Sequence, residues 1–257
     1  TPSPTSSPTH SPTPAPTNSF KVEIVTKFSK PFTAWTQANT TSALAQIATT
    51  AGNNNVIATS LTPGSTLLGA QVILINTYEE ALIIQNNLLA IIFTGLGDYI
   101  IISVTIIPPV VQSNICFPAG TLIRTDQGEI AIEQLQQHKH TLGRKAIKHI
   151  TQTISTDKYL VKIEQNAFGR DKPTKPTIMS KDHKIEFQGE LVPVYRFLDY
   201  LEEVKKVKYS GEILYNILLE EYGTVSVNNL RCETLEPTSP IGCLYRGVKY
   251  KEEKVEK

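Results

Sequence analysis

The chain has 257 residues, and its 25 Lys and Arg residues nearly balance its 24 Asp and Glu residues, for a formal charge of +1 at pH 7. This balance gives no electrostatic reason to expect binding to nucleic acid or to an anionic membrane surface. Hydrophobic residues make up 40% of the chain, but no apolar run reaches the roughly 20 residues that span a bilayer. Three widely spaced cysteines without a Cys-x-x-Cys pair argue against a disulfide scaffold or a zinc site.

The first 18 residues consist almost entirely of Ser, Thr and Pro. This composition cannot bury apolar surface, so it predicts an extended, disordered linker over residues 1–18. The chain does not begin with Met and has no signal-like start, so we expect a piece of a longer precursor whose targeting segment lies upstream. Stalks of this kind are often O-glycosylated outside the cell, which favours a secreted or cell-surface location. An unmodified spacer is the other interpretation.

Residues 19–112 alternate between strand and helix patterns in the order βαββαβ. Alternating apolar residues predict strands in FKVEIVTKF, NVIATSLT, LLGAQVILINT and DYIIISVTII, and helical spacing predicts helices in TQANTTSALAQIATTAG and YEEALIIQNNLLAII. A turn at Pro63-Gly64 joins the second and third strands as a hairpin. The order matches a ferredoxin-like α+β sandwich, a scaffold that hosts many functions and therefore assigns none.

Beyond a Pro108-Pro109 break, short strands separated by turn residues predict an all-β domain over residues 113–237. One helix is expected inside it, from Tyr195 to Val204. The charged residues 238–257 are expected to form a frayed tail. Three turn signals predict hairpins: Asp126-Gln127-Gly128, Gln188-Gly189 and Asn228-Asn229.

Three motifs in the β domain carry reactive residues in a fixed order. CFPAGTLIRTDQGEIAIEQL begins at Cys116, TIMSKDHKIEFQGELVPV contains Ser180 and His183, and GTVSVNNLRCETL contains Cys232. Together these motifs resemble those of Hint domains, the fold shared by inteins and by the autoprocessing half of hedgehog proteins, over residues 116–237. The Thr-x-x-His usual in the family is Ser-Lys-Asp-His in this chain.

The thiol of Cys116 lies next to the carbonyl of its own preceding residue, which makes it an intramolecular nucleophile with a large effective concentration. Its attack on the Ile115 carbonyl would convert the peptide bond into a thioester by an N–S acyl shift. His183 would act as general acid on the departing nitrogen, and the Ser180 hydroxyl would hold the scissile amide or the developing oxyanion. The substrate would be the chain's own N-terminal segment, and the reaction needs no metal or cofactor.

The resemblance also indicates how the thioester would be resolved. Splicing in inteins ends at a His-Asn pair, but the nearest candidates, Asn228 and Asn229, lie in a predicted hairpin and the chain continues beyond them. We therefore predict cleavage without splicing. Hedgehog relatives use a carboxylate to pass the acyl group to a sterol alcohol; Asp157 stands in a comparable region, and a solvated turn residue is the alternative. Because no long apolar extension follows Pro237, water, a thiol or an amine is the expected acceptor, ahead of an alcohol.

Two further positions have several open interpretations. Cys232 would be a transient thioester acceptor, a disulfide partner or a buried structural residue, and a bridge to Cys243 would leave Cys116 as the free thiol. Asn216 stands where many inteins carry Asp, which removes a candidate base.

The rival hypothesis for the domain as a whole is an inactive β domain in an extracellular adhesion or interaction protein. A protease acting in trans is a third, which would need a substrate groove and an orienting partner for His183.

Overall fold

The computed structural model describes most of the chain beyond the Ser/Thr/Pro segment. The predicted linker 1–18 and the predicted Pro63-Gly64 turn lie outside the described residues. No helix within the described part is long and apolar enough to cross a membrane. The described ranges are 19–28, 37–62, 67–91, 99–111 and 115–248.

The N-terminal region is an α+β unit in which each predicted strand and helix is present. Its elements are β1 (Phe20–Phe28), α1 (Gln37–Ala51), β2 (Val56–Thr62), β3 (Leu67–Ile75), α2 (Tyr78–Leu89) and β4 (Tyr99–Ile107). The four strands form one sheet in the order β2-β3-β1-β4, and every neighbouring pair is antiparallel.

Alternation along β1 and helical spacing along α2 bring the two elements into one core. Val22 and Ile24 of β1 pack in the same buried cluster as Ile84 and Leu88 of α2. The helix begins at Thr77, whose Oγ1 accepts a hydrogen bond from the Glu80 amide at 3.0 Å. This cap satisfies one of the backbone donors that a helix start leaves unpaired.

The rest of the chain is predominantly β and is built on three sheets of three or more strands. One sheet has the order β5-β11-β17-β6, a second has β13-β12-β16, and a six-stranded sheet has β15-β14-β19-β18-β7-β8, while β9 and β10 pair with each other. The strands are β5 (Val110–Val111), β6 (Phe117–Pro118), β7 (Leu122–Thr125), β8 (Gly128–Ala131), β9 (Thr141–Leu142), β10 (Lys145–Ala146), β11 (His149–Ser155), β12 (Tyr159–Ile163), β13 (Thr177–Met179), β14 (Lys184–Phe187), β15 (Glu190–Pro193), β16 (Val204–Lys208), β17 (Leu214–Leu218), β18 (Thr224–Val227) and β19 (Leu230–Glu233).

The three predicted hairpins of the β domain are confirmed. β7 pairs with β8, β14 with β15, and β18 with β19, each across the expected turn. Asn228 and Asn229 both have positive φ, 47° and 67°. Two consecutive residues with positive φ suit a tight hairpin turn, and Asn tolerates this conformation better than most residues.

The predicted helix from Tyr195 to Val204 is wrong. A single 3-10 turn covers Val194–Phe197, and Val204 instead begins β16, where it pairs with Ile163 of β12. Local helical spacing is a weak preference, and pairing with a buried neighbouring strand overrides it.

The expected frayed tail is also wrong where it is described. Residues Pro240–Arg246 form helix α3, with Ser239 as N-cap and Gly247 as a left-handed C-cap at φ 66°. The Ser239 Oγ accepts a hydrogen bond from the Gly242 amide at 3.1 Å. Residues 249–257 lie outside the described part of the chain.

Helix α3 is held in place by the buried side chain of Tyr245. Its hydroxyl accepts a hydrogen bond from the Gln152 amide at 2.6 Å and donates one to the Gln152 carbonyl at 2.9 Å. Its ring packs edge-on against Phe20 at 5.2 Å and lies 5.2 Å from the ring of Tyr78. Tyr245 therefore joins β11 of the β domain to the core of the N-terminal unit.

Replacing Tyr245 with Phe should lower the free energy of unfolding by about 1–3 kcal/mol, because the backbone groups of Gln152 lose a buried partner. Chemical denaturation followed by circular dichroism measures this difference. Tyr200→Phe is the matched control, since Tyr200 is 83% exposed and its loss should leave stability unchanged. Equal stability of both variants would contradict the role given to the Tyr245 hydroxyl.

The segment before the β domain adds a strand to it. β5 runs parallel to β11, with Val110 opposite Ile154, and the Ile154 amide donates to the Pro109 carbonyl at 3.0 Å. Pro108 and Pro109 are both buried. The Pro-Pro break seen in the sequence therefore marks the point at which the chain joins the β-domain sheet.

Candidate active site

Cys116 is buried where the chain enters β6, with 1% of its surface exposed. Its Sγ lies 3.5 Å from the Thr153 Oγ1. Alternation along β11 turns Thr153 inward, since every second residue of the strand from Thr151 is buried. The thiol also packs in a cluster with Tyr209 and Leu214. The thiol thus lies in a mostly apolar pocket that also holds the Thr153 hydroxyl.

Ser180 binds the backbone of Cys116 on both sides. The Cys116 amide donates to the Ser180 Oγ at 2.8 Å, and the Cys116 carbonyl accepts from the Ser180 amide at 2.9 Å. Ser180 is fully buried directly after β13. The Ser180 hydroxyl therefore contacts the nitrogen side of the Ile115–Cys116 peptide bond.

Asn216 contacts the carbonyl side of the same peptide bond. Its Nδ2 donates a hydrogen bond to the Ile115 carbonyl. Its Oδ1 accepts from the Ile217 amide at 2.7 Å, which fixes which end of the side-chain amide faces Ile115. The sequence motif indicates only the loss of a carboxylate at this position. A donor on the Ile115 carbonyl was missed because 101 residues separate the two partners.

His183 is buried with one ring nitrogen engaged. Its Nε2 lies 3.1 Å from the Glu233 carbonyl oxygen. A carbonyl can only accept, so in the neutral ring Nε2 carries the hydrogen and Nδ1 carries a lone pair. No described atom makes a hydrogen bond to this Nδ1. The ring centroid lies 4.2 Å from that of Phe117, the residue after Cys116, and the two ring planes are tilted by 48°.

Burial lowers the pKa of His183 to about 4, because a charged imidazole cannot be solvated in the core. The backbone of Glu233 and that of Cys116 oppose this shift in part. The backbone of Cys116 therefore lies close to the imidazole ring, although it makes no hydrogen bond to Nδ1. At neutral pH the resting ring is uncharged, so it has to accept a proton before it can act as an acid.

The low pKa of His183 predicts a loss of stability in acid. Between its folded value near 4 and the unfolded value near 6.5, the unfolded chain binds more protons, so the free energy of unfolding falls as pH drops. This group should contribute a loss of roughly 3 kcal/mol between pH 7 and pH 4. Denaturant titrations over this range measure it. His183→Gln should show a shallower pH dependence, and an identical one would contradict the burial argument.

Glu233, which the sequence motifs did not single out, holds the strand ends around His183. Its buried carboxylate accepts from the Lys184 amide at 2.8 Å and from the Tyr222 hydroxyl at 2.6 Å. Desolvation and this carboxylate both raise the pKa of Tyr222, so Tyr222 stays a hydrogen-bond donor. The only sequence signal was the place of Glu233 beside Cys232 in the third motif.

Asp157 is largely buried, so the alternative interpretation as a solvated turn residue is wrong. Its side chain is 8% exposed, and its Oδ1 accepts from the Lys181 Nζ at 2.6 Å. Its Oδ2 is buried without a hydrogen-bond partner among the described residues. Both Asp157 and Cys116 raise the pKa of the Tyr209 hydroxyl, after desolvation as the main cause. Asp157 thus lies near the thiol pocket, next to the segment that carries Ser180.

Cys232 is a core residue in this structure. It pairs with Ile185 and Val225 in the six-stranded sheet and is fully buried, and desolvation raises the pKa of its thiol. Cys116, Cys232 and Cys243 are all free thiols, so the bridge considered between Cys232 and Cys243 is not formed. Within the described ranges, no three His, Cys, Asp or Glu side chains are grouped so that they could hold a metal ion.

Several solved intein structures are similar to this chain, at low identity. A DnaB intein from Synechocystis sp. PCC 6803 is 10% identical with a TM-score of 0.33, and the match covers 48% of this chain and 99% of that one. The Ssp DnaB mini-intein variant M86 is 10% identical with a TM-score of 0.35, over 49% and 99%. A splice-inactive variant of the AceL NrdHF class 3 split intein is 12% identical with a TM-score of 0.32, over 47% and 97%. No curated protein matches the chain.

The family model of the Hint domain matches residues 115–239. This range begins at the acyl side of the candidate scissile bond and includes every residue of the site described above. It also agrees with residues 116–237, over which the three motifs resemble the family, so that resemblance is confirmed. Residues 115–239 of this chain are a Hint domain.

Proposed function

We propose that this Hint domain cuts its own chain between Ile115 and Cys116 through a thioester, without splicing. The observation that carries the proposal is the double hold on this one peptide bond. Asn216 donates to its carbonyl oxygen, and Ser180 accepts from its amide nitrogen. Contacts on both sides fix the orientation of this peptide bond relative to the thiol of its own next residue, which favours intramolecular attack.

In the first half of the step, the Cys116 Sγ bonds to the Ile115 carbonyl carbon. The thiol proton passes to the lone pair of His183 Nδ1, and the Asn216 amide stabilises the negative charge that develops on the carbonyl oxygen. Since burial holds the pKa of His183 near 4, the imidazolium formed here is a strong acid.

In the second half, the carbon–nitrogen bond breaks and His183 returns the proton to the Cys116 nitrogen. The acyl group has then moved from nitrogen to sulfur, and no atom has been gained or lost. Water, a thiol or an amine next attacks the thioester, which releases the Cys116 thiol and leaves Ile115 as an acid, thioester or amide. We assign Asp157 as the base for this acceptor, because its Oδ2 is buried and unbonded among the described residues.

Splicing would need a cleavable Asn at the end of the domain. Asn228 donates from its side chain to the Thr177 Oγ1 at 3.0 Å, and Asn229 to the Asp171 carbonyl at 2.8 Å. Both side chains are engaged in holding a hairpin turn, with the chain folded on either side of it. This supports cleavage at a single bond.

Trapping with hydroxylamine tests the proposal. Hydroxylamine attacks a thioester but leaves an ordinary peptide bond intact under mild conditions, so we expect a fragment that ends in Ile115 hydroxamate and a second that begins with Cys116. Mass spectrometry of both fragments identifies the site. Cys116→Ala should give no break, whereas Cys232→Ala, which removes a thiol from the core, should still cleave.

The rival function is an inactive β domain, which the nearly complete burial of the Cys116 thiol favours. A chain that stays intact at every concentration of hydroxylamine and dithiothreitol, while folded, would establish the rival and overturn the cleavage proposal.

We also propose that residues 19–107 form a ferredoxin-like module. The strand order β2-β3-β1-β4, antiparallel throughout, together with two crossover helices supports this assignment. It carries no function for the module by itself.

A further inference from the structure

We propose that the N-terminal cleavage product stays bound to the β domain after the chain is cut, so that the processed protein is a two-chain complex. This inference rests on the proposed function for the cut itself. The occupant of the docking surface is the chain's own segment from β1 to Ile115. The surface on the β domain is formed by helix α3, strand β11 and the end of strand β17, and we call it the retention face.

The first contact across the retention face is aromatic. Tyr245 of α3 is buried between Phe20 and Tyr78 of the N-terminal unit, with both ring centroids 5.2 Å away. Its hydroxyl is bound to Gln152 of the β domain through two hydrogen bonds. Tyr245 is thus anchored on the side of the β domain while its ring fills the core of the other product.

The second contact is a shared hydrophobic core. Leu218, Leu235 and Ile241 from the β-domain side belong to the same buried cluster as the apolar residues of β1, β3 and α2. Ile115, the residue that would carry the new carboxyl group, packs against this cluster as well. Separation of the products would expose these apolar side chains to water, which opposes dissociation.

The third contact is a strand. β5 belongs to the N-terminal product and pairs in parallel with β11, whose Ile154 amide donates to the Pro109 carbonyl. Cleavage at Ile115 breaks none of these hydrogen bonds, because it falls beyond the end of β5. Since all three cysteines are free thiols, non-covalent contacts alone would hold the two products together.

A cut that does not depend on self-cleavage tests retention. The recognition sequence of a site-specific protease is inserted between Ser113 and Asn114 of the full Cys116→Ala chain, which cannot process itself. After digestion, we expect both pieces to elute together at the volume of the uncut chain in native buffer, and apart in denaturant. Separate elution of folded pieces in native buffer would overturn the proposal.

Variants of the retention face sharpen the test. Tyr245→Ala should speed dissociation of the cut pieces by roughly 100-fold or more, as expected when a large buried aromatic is truncated. Tyr200→Ala, on an exposed side chain, should leave the rate unchanged. Equal rates for the two variants would contradict the retention face as the source of binding.

Two outcomes separate this inference from the cleavage proposal. If the unmodified chain never cleaves but the protease-cut pieces stay together, the proposed function fails and retention holds. If the hydroxylamine products of the unmodified chain separate in native buffer, cleavage holds and retention fails. These hydroxylamine products also serve as the second sample should the inserted sequence disturb folding, which the elution volume of the uncut chain reveals.

Discussion

Replacing His183 with Gln should slow cleavage at Ile115–Cys116 by about 10²–10⁴-fold. Gln keeps a donor for the Glu233 carbonyl but has no group that can accept the thiol proton and pass it to the departing nitrogen. The measurement is the rate of hydroxylamine-trapped fragment formation, followed by mass spectrometry at fixed pH. The variant must first be shown to fold, by circular dichroism.

The matched control is His138→Gln, on an exposed histidine outside the site. This variant should cleave at the rate of the unmodified chain. The pH dependence adds a second readout, because the uncharged resting form of His183 predominates above its pKa near 4. We therefore expect no loss of rate between pH 7 and pH 5.5 from His183 itself. Unchanged cleavage in His183→Gln would remove this residue from the mechanism.

Replacing Asn216 with Ala should slow the same step by roughly 10²–10³-fold, the cost of losing one donor to a developing oxyanion. The Asn216 side chain donates the hydrogen bond that the Ile115 carbonyl accepts. The rate is again measured with hydroxylamine. Asn87→Ala, at an exposed position on α2, is the control and should have no effect.

Asn216→Asp gives a sharper form of this prediction. An ionised carboxylate is only an acceptor, so it should repel the oxyanion and cleave no faster than the Ala variant at neutral pH. A protonated carboxyl group regains one donor, so the rate of the Asp variant should rise as pH falls. Full activity of Asn216→Asp at neutral pH would show that this side chain acts through something other than donation.

Much of the fold follows from local sequence patterns. The strands of the β domain and its turns at Gln188-Gly189 and Asn228-Asn229 were predictable because alternation and positive-φ residues act over a few positions. The helix expected from Tyr195 and the frayed tail expected from Thr238 failed for a different reason. Both segments are decided by partners far along the chain: Ile163 for the first, and Phe20 and Tyr78 for the second.

In the candidate site, too, the residues in local motifs were predictable and the contacts between distant residues were not. Cys116, Ser180 and His183 were found because each lies in a motif that is recognisable along the sequence. The contacts of Asn216 with the Ile115 carbonyl and of Thr153 with the Cys116 thiol were not predicted. Both join residues that are far apart in the sequence, so neither leaves a local pattern. Their placement depends on β17 and β11, which pair with each other and carry both residues inward.

The parallel strand β5 has a practical consequence for protein engineering. If the domain serves as a removable tag, the passenger should be joined upstream of Pro108, not directly before Cys116. A junction at Cys116 would discard the Pro109 carbonyl that accepts from Ile154 and leave β11 as a bare sheet edge, which invites aggregation. A passenger joined upstream of Pro108 leaves the eight residues ahead of Cys116 in the chain, and with them the strand that pairs with β11.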